Sequence, residues 1–285
     1  MADINAFLRS EGVPPAAVEQ IYTPLADWIM AKPRGRLGAL FVGLCGAQGS
    51  GKSTAAVLLK HLLEARRLTV AALSIDDLYL TRVERLTLAR MIHPLLATRG
   101  PPGKHDLGLG EGVIASLRLH GTTAIPSFDK SIDDRRPREQ WTVFDGPADV
   151  ILLEGWCVGA RPEPPEALIQ PVNSLERNED PDGVWRRHVN QALDRWQPFF
   201  GQLDCLVLFA APSFDVVELW RGEQEAKLGQ SAAIHQPHVM SATELARFIQ
   251  HYERLTRWIL AEAPGRADAL VELNEARQLR KLTLR

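Results

Sequence analysis

The stretch Gly46-Ala47-Gln48-Gly49-Ser50-Gly51-Lys52-Ser53-Thr54 constrains this chain more than any other, because it satisfies GxxxxGK[ST] between an apolar run and a segment with helical spacing. Gly46, Gly49 and Gly51 permit a tight turn whose successive N–H groups point inward, and the following helix N-terminus adds partial positive charge. Such a turn cradles a polyphosphate, so all nine residues from Gly46 to Thr54 are expected nucleotide contacts. Lys52 is expected to reach the β- and γ-phosphates. Ser53 is expected to offer its hydroxyl to a magnesium ion bridging them, since magnesium prefers hard oxygen ligands. A glycine-rich turn with a chance lysine would not also explain the flanks.

Those flanks extend into a regular alternation. Buried-strand runs are read at Ala39 to Leu44, Thr69 to Ile75, Val150 to Leu153, Leu206 to Phe209 and Ala269 to Leu273. Helical spacing occupies Ser53 to Arg66, Gly110 to Leu119, Gly183 to Trp196, Phe214 to Leu228 and Ala242 to Glu262. Strands separated by helices predict an α/β fold, a mainly parallel sheet covered on both faces in three layers. The segment 1–33 reads as a helical preface and 34–285 as the main domain. Pro- and Gly-rich stretches, Thr98 to Gly108 and Ala160 to Pro171, are loop material suited to the crevice at the carboxyl ends of the strands.

The net charge of -2 and pI near 6.5 give no global attraction for nucleic acid or an anionic membrane surface, so neither is an expected partner. The N-terminus lacks a signal-peptide pattern, and the apolar runs fall short of the roughly 20 residues of a membrane span. Cys45, Cys157 and Cys205 are far apart, with no CxxC spacing, and read as reduced, buried thiols of a cytoplasmic protein. His235 and His238 read as a solvated loop.

Two further strand ends carry acids. After Leu73-Ser74-Ile75 come Asp76 and Asp77, facing the expected nucleotide crevice. A carboxylate there can orient an acceptor hydroxyl and take its proton, the role assigned to Asp76. Asp77 is read as orienting neighbours or metal-bound water. The same pair also suits a helix N-terminus. The run Val150 to Leu153 ends in Glu154, placed to orient the metal. Two loops, Arg99 to Asp106 and Ile125 to Arg136, supply Arg, Lys and His donors for a small anionic or hydroxylated molecule, unless they are ordinary solvated loop charge.

In order, the phosphate loop, SIDDLYLT (74–81), RGPPGKHD (99–106), PSFDKS (126–131), LLEGWCVG (152–159) and LWRGEQEAKL (219–228) resemble the D-glycerate 3-kinase group of the P-loop kinase superfamily. That superfamily includes phosphoribulokinase, uridine kinase and bacterial pantothenate kinase. The resemblance implies a P-loop NTPase fold with a helical lid, ATP and Mg2+ as cofactors, and a small-molecule acceptor such as glycerate. It puts the general base at Asp76 and acceptor contacts at Tyr79, Arg99, His105, Asp106, Lys130 and Arg135. It also makes the helix after Pro212 part of a closing lid whose Arg221 reaches the transferred phosphate; an ion pair between Arg221 and Glu225 is the alternative. Lys104 and Ala160 depart from the group's Thr and aromatic residue, in loops expected to shape the acceptor pocket. The competing function class is a nucleotide-dependent switch without a metabolite acceptor. A monomer or small homo-oligomer is expected.

Overall fold

A computed structural model describes residues 4–231 and 240–285, which leaves His235 and His238 outside the described residues. The central sheet contains β1 (Leu40–Gly46), β2 (Val70–Ser74), β7 (Val150–Gly155), β8 (Cys205–Ala210), β9 (Ala269–Leu273) and β10 (Leu279–Leu284). Its order is β10-β9-β8-β1-β7-β2, with only β10 antiparallel. Two small antiparallel pairs, β3 (Gly121–Ile125) with β6 (Thr142–Gly146) and β4 (Phe128–Asp129) with β5 (Asp134–Arg135), form outside it.

β1 and β7 are buried at every position, which is why both read as unbroken apolar runs. Alternation along them splits the core in two. Val42, Leu44, Leu152 and Val207 pack with Leu58 and Leu59 of α3 (Lys52–Ala65) on one face. Phe41, Cys45, Ile151 and Leu208 pack on the other with Ile114 of α5 (Leu107–Leu117), Leu193 of α7 (Val184–Arg195) and Ile259 of α9 (Ala242–Glu262). These are the expected three layers.

The N-terminal segment does form helices, α1 (Ile4–Glu11) and α2 (Thr23–Met30). Leu25, Ala26 and Ile29 join the same apolar cluster as β1 and α3, and Asp27 pairs with Arg66 at the end of α3. The remaining named helices are α4 (Arg82–Met91), α6 (Ser174–Glu179) and α8 (Phe214–Ser231). Among the described residues no helix is long and apolar enough to cross a membrane.

Candidate active site

The sheet register brings the sequence-assigned acids to one edge. β7 pairs Glu154 with Leu44 of β1 on one side and Ser74 of β2 on the other. The phosphate-loop turn after β1, Glu154 and the Asp76 turn therefore open into one crevice at the carboxyl ends of neighbouring strands.

Within the turn, Gly49 and Gly51 hold φ of 79° and 83°, left-handed values that side-chain-bearing residues rarely adopt. Gly49 is also required by space, because a Cβ there would lie 2.5 Å from Cβ of Trp220. Ser50 N–H donates to the Ala47 carbonyl at 3.1 Å, closing the turn before Lys52 opens α3. Ser53 Oγ donates to Glu154 Oε1 at 3.1 Å, and the buried Glu154 Oε2 has no hydrogen-bond partner among the described residues. Two hard oxygens, one carboxylate atom unsatisfied, fit a divalent cation whose other ligands are phosphate oxygens and water. Thr54 is turned elsewhere: its hydroxyl donates to Glu11 of α1 at 3.4 Å.

Ser74, rather than the acid pair, caps the short turn Ile75–Leu78, its Oγ accepting from Asp76 N–H at 3.2 Å. Asp76 Oδ2 accepts from Lys130 Nζ at 2.6 Å. Burial would raise the Asp76 carboxyl, but the ammonium groups of Lys130 and then Lys52 hold it below the ordinary carboxylate range. Lys52 is thus close enough for its charge to be felt at Asp76. Asp77 orients a neighbour, accepting from Phe128 N–H at 2.9 Å, and burial pushes its carboxyl up to about 6 against that bond.

The expected acceptor residues divide into two sets. Lys130 touches Asp76 directly, and Arg99 lies beside it, donating to the Lys130 carbonyl at 3.5 Å and pairing with Asp133 at 2.6 Å. Tyr79, His105, Asp106 and Arg135 brace the walls. Tyr79 Oη donates to the Gly100 carbonyl at 3.1 Å and its ring stacks on His105 at 4.1 Å. Arg135 binds the Tyr79 carbonyl at 2.8 Å and Asp106 Oδ2 at 3.3 Å, while Asp106 Oδ1 caps α5 through Leu109 N–H. Lys104 is fully buried, donating to the Thr98 carbonyl, so it supports its loop from within. Asn190 pins the loop after β7, accepting from Glu163 N–H at 2.7 Å and donating to the Glu163 carbonyl at 2.9 Å.

His105 is not the cationic donor its loop suggested. Both ring nitrogens are buried without hydrogen-bond partners among the described residues, and burial pushes its pKa from 6.5 down to about 3. Its neutral form belongs to the folded state, so between about 6.5 and 3 the unfolded chain binds the extra proton and stability falls as pH drops. H105F, which keeps the ring stack, is expected to flatten that part of a plot of unfolding midpoint against pH. An unchanged slope would place the acid sensitivity elsewhere.

Arg221 on α8 lies 5.8 Å from the Phe248 ring centroid; the side chain of Glu225 is outside the described residues. Sequence reasoning missed Tyr252, whose ring packs between Trp156 (4.9 Å) and Phe248 (5.1 Å) and whose phenol, raised by burial and then by Asp76, adjoins Gly100. Its only signal in the sequence is helical spacing within α9.

Asp76, with Lys130 bonded to it, stands at the same end of the sheet as the Gly46 to Thr54 turn. Fold and site together define a phosphotransferase of the P-loop kinase class. No protein-family model matches the chain. It is 34% identical over 232 residues to the Schizosaccharomyces pombe protein described as an uncharacterized kinase, mug58, across 78% of this chain and 80% of that one. Over 239 residues it is 26% identical to the chloroplastic D-glycerate 3-kinase of Arabidopsis thaliana, covering 80% of this chain but 50% of that protein. The solved D-glycerate 3-kinase of Cryptococcus neoformans var. grubii shares the fold, with a TM-score of 0.76 at 24% identity, over 95% of this chain and 99% of that one. The chain belongs to the P-loop kinase family, in the group that contains D-glycerate 3-kinase.

Proposed function

We propose that this kinase transfers the γ-phosphate of ATP, with Mg2+, to a hydroxyl of D-glycerate. The observation that carries this reading is the 2.6 Å Lys130–Asp76 pair within electrostatic reach of Lys52. A hydroxy acid suits that arrangement better than a nucleoside does. Its hydroxyl requires a base and its carboxylate requires a cation, and Asp76, Lys130 and Arg99 supply both side by side.

In this mechanism Lys52 and the turn amides hold the triphosphate, while Asp76 orients the attacking hydroxyl and receives its proton. Ser53 and Glu154 would hold the metal, which would neutralise phosphate charge there. Arg221 of α8 closes over the transferred phosphoryl group and helps to exclude water. Most of the acceleration comes from positioning and charge stabilisation. Cytoplasmic residence belongs to the same proposal and is supported by three buried, unpaired cysteines.

Isotope-labelled ATP tests the acceptor in one assay with D-glycerate, uridine and pantothenate supplied in parallel. Labelled phosphoglycerate is the expected product. Labelled inorganic phosphate alone would favour a nucleotide switch, and a labelled product from another acceptor would reassign the substrate.

A further inference from the structure

We infer that Arg277 is a positioning residue that ties the phosphate-binding turn to the lower part of α8, and through it sets where Arg221 stands. The inference rests on the nucleotide-binding reading but not on the identity of the acceptor. Arg277 lies in the turn between β9 and β10 with φ of 61°, a left-handed conformation costly for a residue with a side chain. The turn is pinned locally by Gln278 N–H donating to Asn274 Oδ1 at 2.8 Å and Arg277 N–H donating to the Asn274 carbonyl at 2.9 Å.

From there the side chain makes three contacts to two other elements. Nε donates to the Gly49 carbonyl at 2.9 Å, inside the phosphate-binding turn. The guanidinium lies 5.1 Å from the Trp220 ring centroid, and Nη2 pairs with Glu223 Oε2 at 2.6 Å, both on α8. Trp220 returns to the same hairpin, its Nε1 donating to the Glu275 carbonyl at 2.7 Å. It also occupies the space that a Cβ on Gly49 would need.

The consequence for the site is geometric. The Gly49–Ser50 peptide is fixed at both ends, its oxygen by Arg277 and its N–H by the Ala47 carbonyl. A planar guanidinium can serve the carbonyl, the indole face and the carboxylate together, which an ammonium cannot. Trp220 immediately precedes Arg221, so a helix held at Trp220 and Glu223 is also held in rotation at Arg221. Losing Arg277 loosens the cradle and the approach of Arg221 at once. A purely structural hairpin contact would affect stability alone.

The test compares the wild type with R277A, R277K and E223Q, and with the R277A/E223Q and R277K/E223Q double variants. It measures MgATP affinity by equilibrium binding, the unfolding midpoint, and ATP hydrolysis without acceptor relative to transfer. R277A is expected to weaken MgATP binding about tenfold, the scale of one charged hydrogen bond, and to raise the hydrolysis-to-transfer ratio. R277K should recover part of the affinity, since it can still reach one carbonyl. E223Q, at an exposed position, should change affinity by about threefold or less and have no further effect in the R277A background. Wild-type affinity and an unaltered ratio in R277A and R277K, with only the midpoint lowered, would overturn the inference. Were R277A not to fold, wild-type behaviour of R277K and additivity of R277K with E223Q would do the same. A wild type that binds no MgATP would remove the nucleotide-binding reading and this inference together.

Discussion

D76N is expected to lower turnover by a factor on the order of 10² or more, the usual contribution of a positioned general base, while leaving nucleotide affinity nearly unchanged. The substitution is close to isosteric, and the Asp76 N–H remains available to Ser74 Oγ. The contacts assigned to the triphosphate lie at the end of β1, in the turn after it and at the start of α3, so they stay in place. What disappears is the carboxylate that can take the hydroxyl proton and the negative charge that holds Lys130 at 2.6 Å. Burial opposes ionisation of Asp76, but Lys130 and Lys52 outweigh it, so the group is charged throughout the neutral range. The acid limb of wild-type turnover that belongs to Asp76 should accordingly fall below the ordinary carboxylate range, and D76N should abolish it. Steady-state turnover and equilibrium MgATP binding on the same preparations decide the matter. Unchanged turnover would remove Asp76 from the chemistry.

The parts of this fold that sequence made legible are those where one physical demand dominates. β1, β7 and β8 are buried on both faces, so burial alone dictates their composition, and β2 and β9 follow nearly as closely. The phosphate-loop turn is set by backbone conformation, which only glycine supplies at Gly49 and Gly51. Helix α4 escaped because its apolar spacing is weak and its one buried residue is Arg85, held by the Leu80 and Ala97 carbonyls and by Asp133. Its start was nevertheless written in Thr81 and Glu84, which form a capping box. β10 escaped because half-exposed edge strands alternate without a strong apolar run.

The site shows the same division. Asp76 and Glu154 lie at one edge because the sheet order places the carboxyl ends of β2 and β7 side by side. The loop residues were harder. His105, Asp106 and Arg135 have the side chains of ligand contacts, yet whether such a group faces a crevice or a neighbouring backbone depends on how a loop folds back. The bridge pairing Tyr79 with His105, and the bonds of Arg135 to the Tyr79 carbonyl and Asp106, fold these residues against the loop walls, and nothing in the local sequence announces it. Tyr252 and Arg277 were invisible for a related reason. Each reaches the site from an element distant in sequence, α9 and the β9–β10 turn.

E154Q carries the second large effect, and it separates function from stability. Glu154, near the end of β7, has Oε1 accepting from Ser53 and Oε2 buried without a partner among the described residues. An unsatisfied buried carboxylate oxygen is costly on its own, by roughly 1–3 kcal/mol or more for a charged group. Such a cost is understandable where a cation and its water complete the set. Glutamine retains an oxygen for Ser53 but puts an NH₂ donor where an acceptor is required, and it removes the charge. Turnover is expected to drop about 10- to 100-fold at fixed Mg2+, with the half-saturating Mg2+ concentration shifted upward, as for other groups that orient metal ligands. The unfolding midpoint should hold or rise, because a buried, unpaired charge has been taken out of the core. A fallen midpoint with an unaltered Mg2+ response would make Glu154 a structural partner of Ser53. A steady or higher midpoint with weakened Mg2+ response would show that the chain tolerates an unsatisfied carboxylate at the head of its phosphate cradle because the reaction uses it.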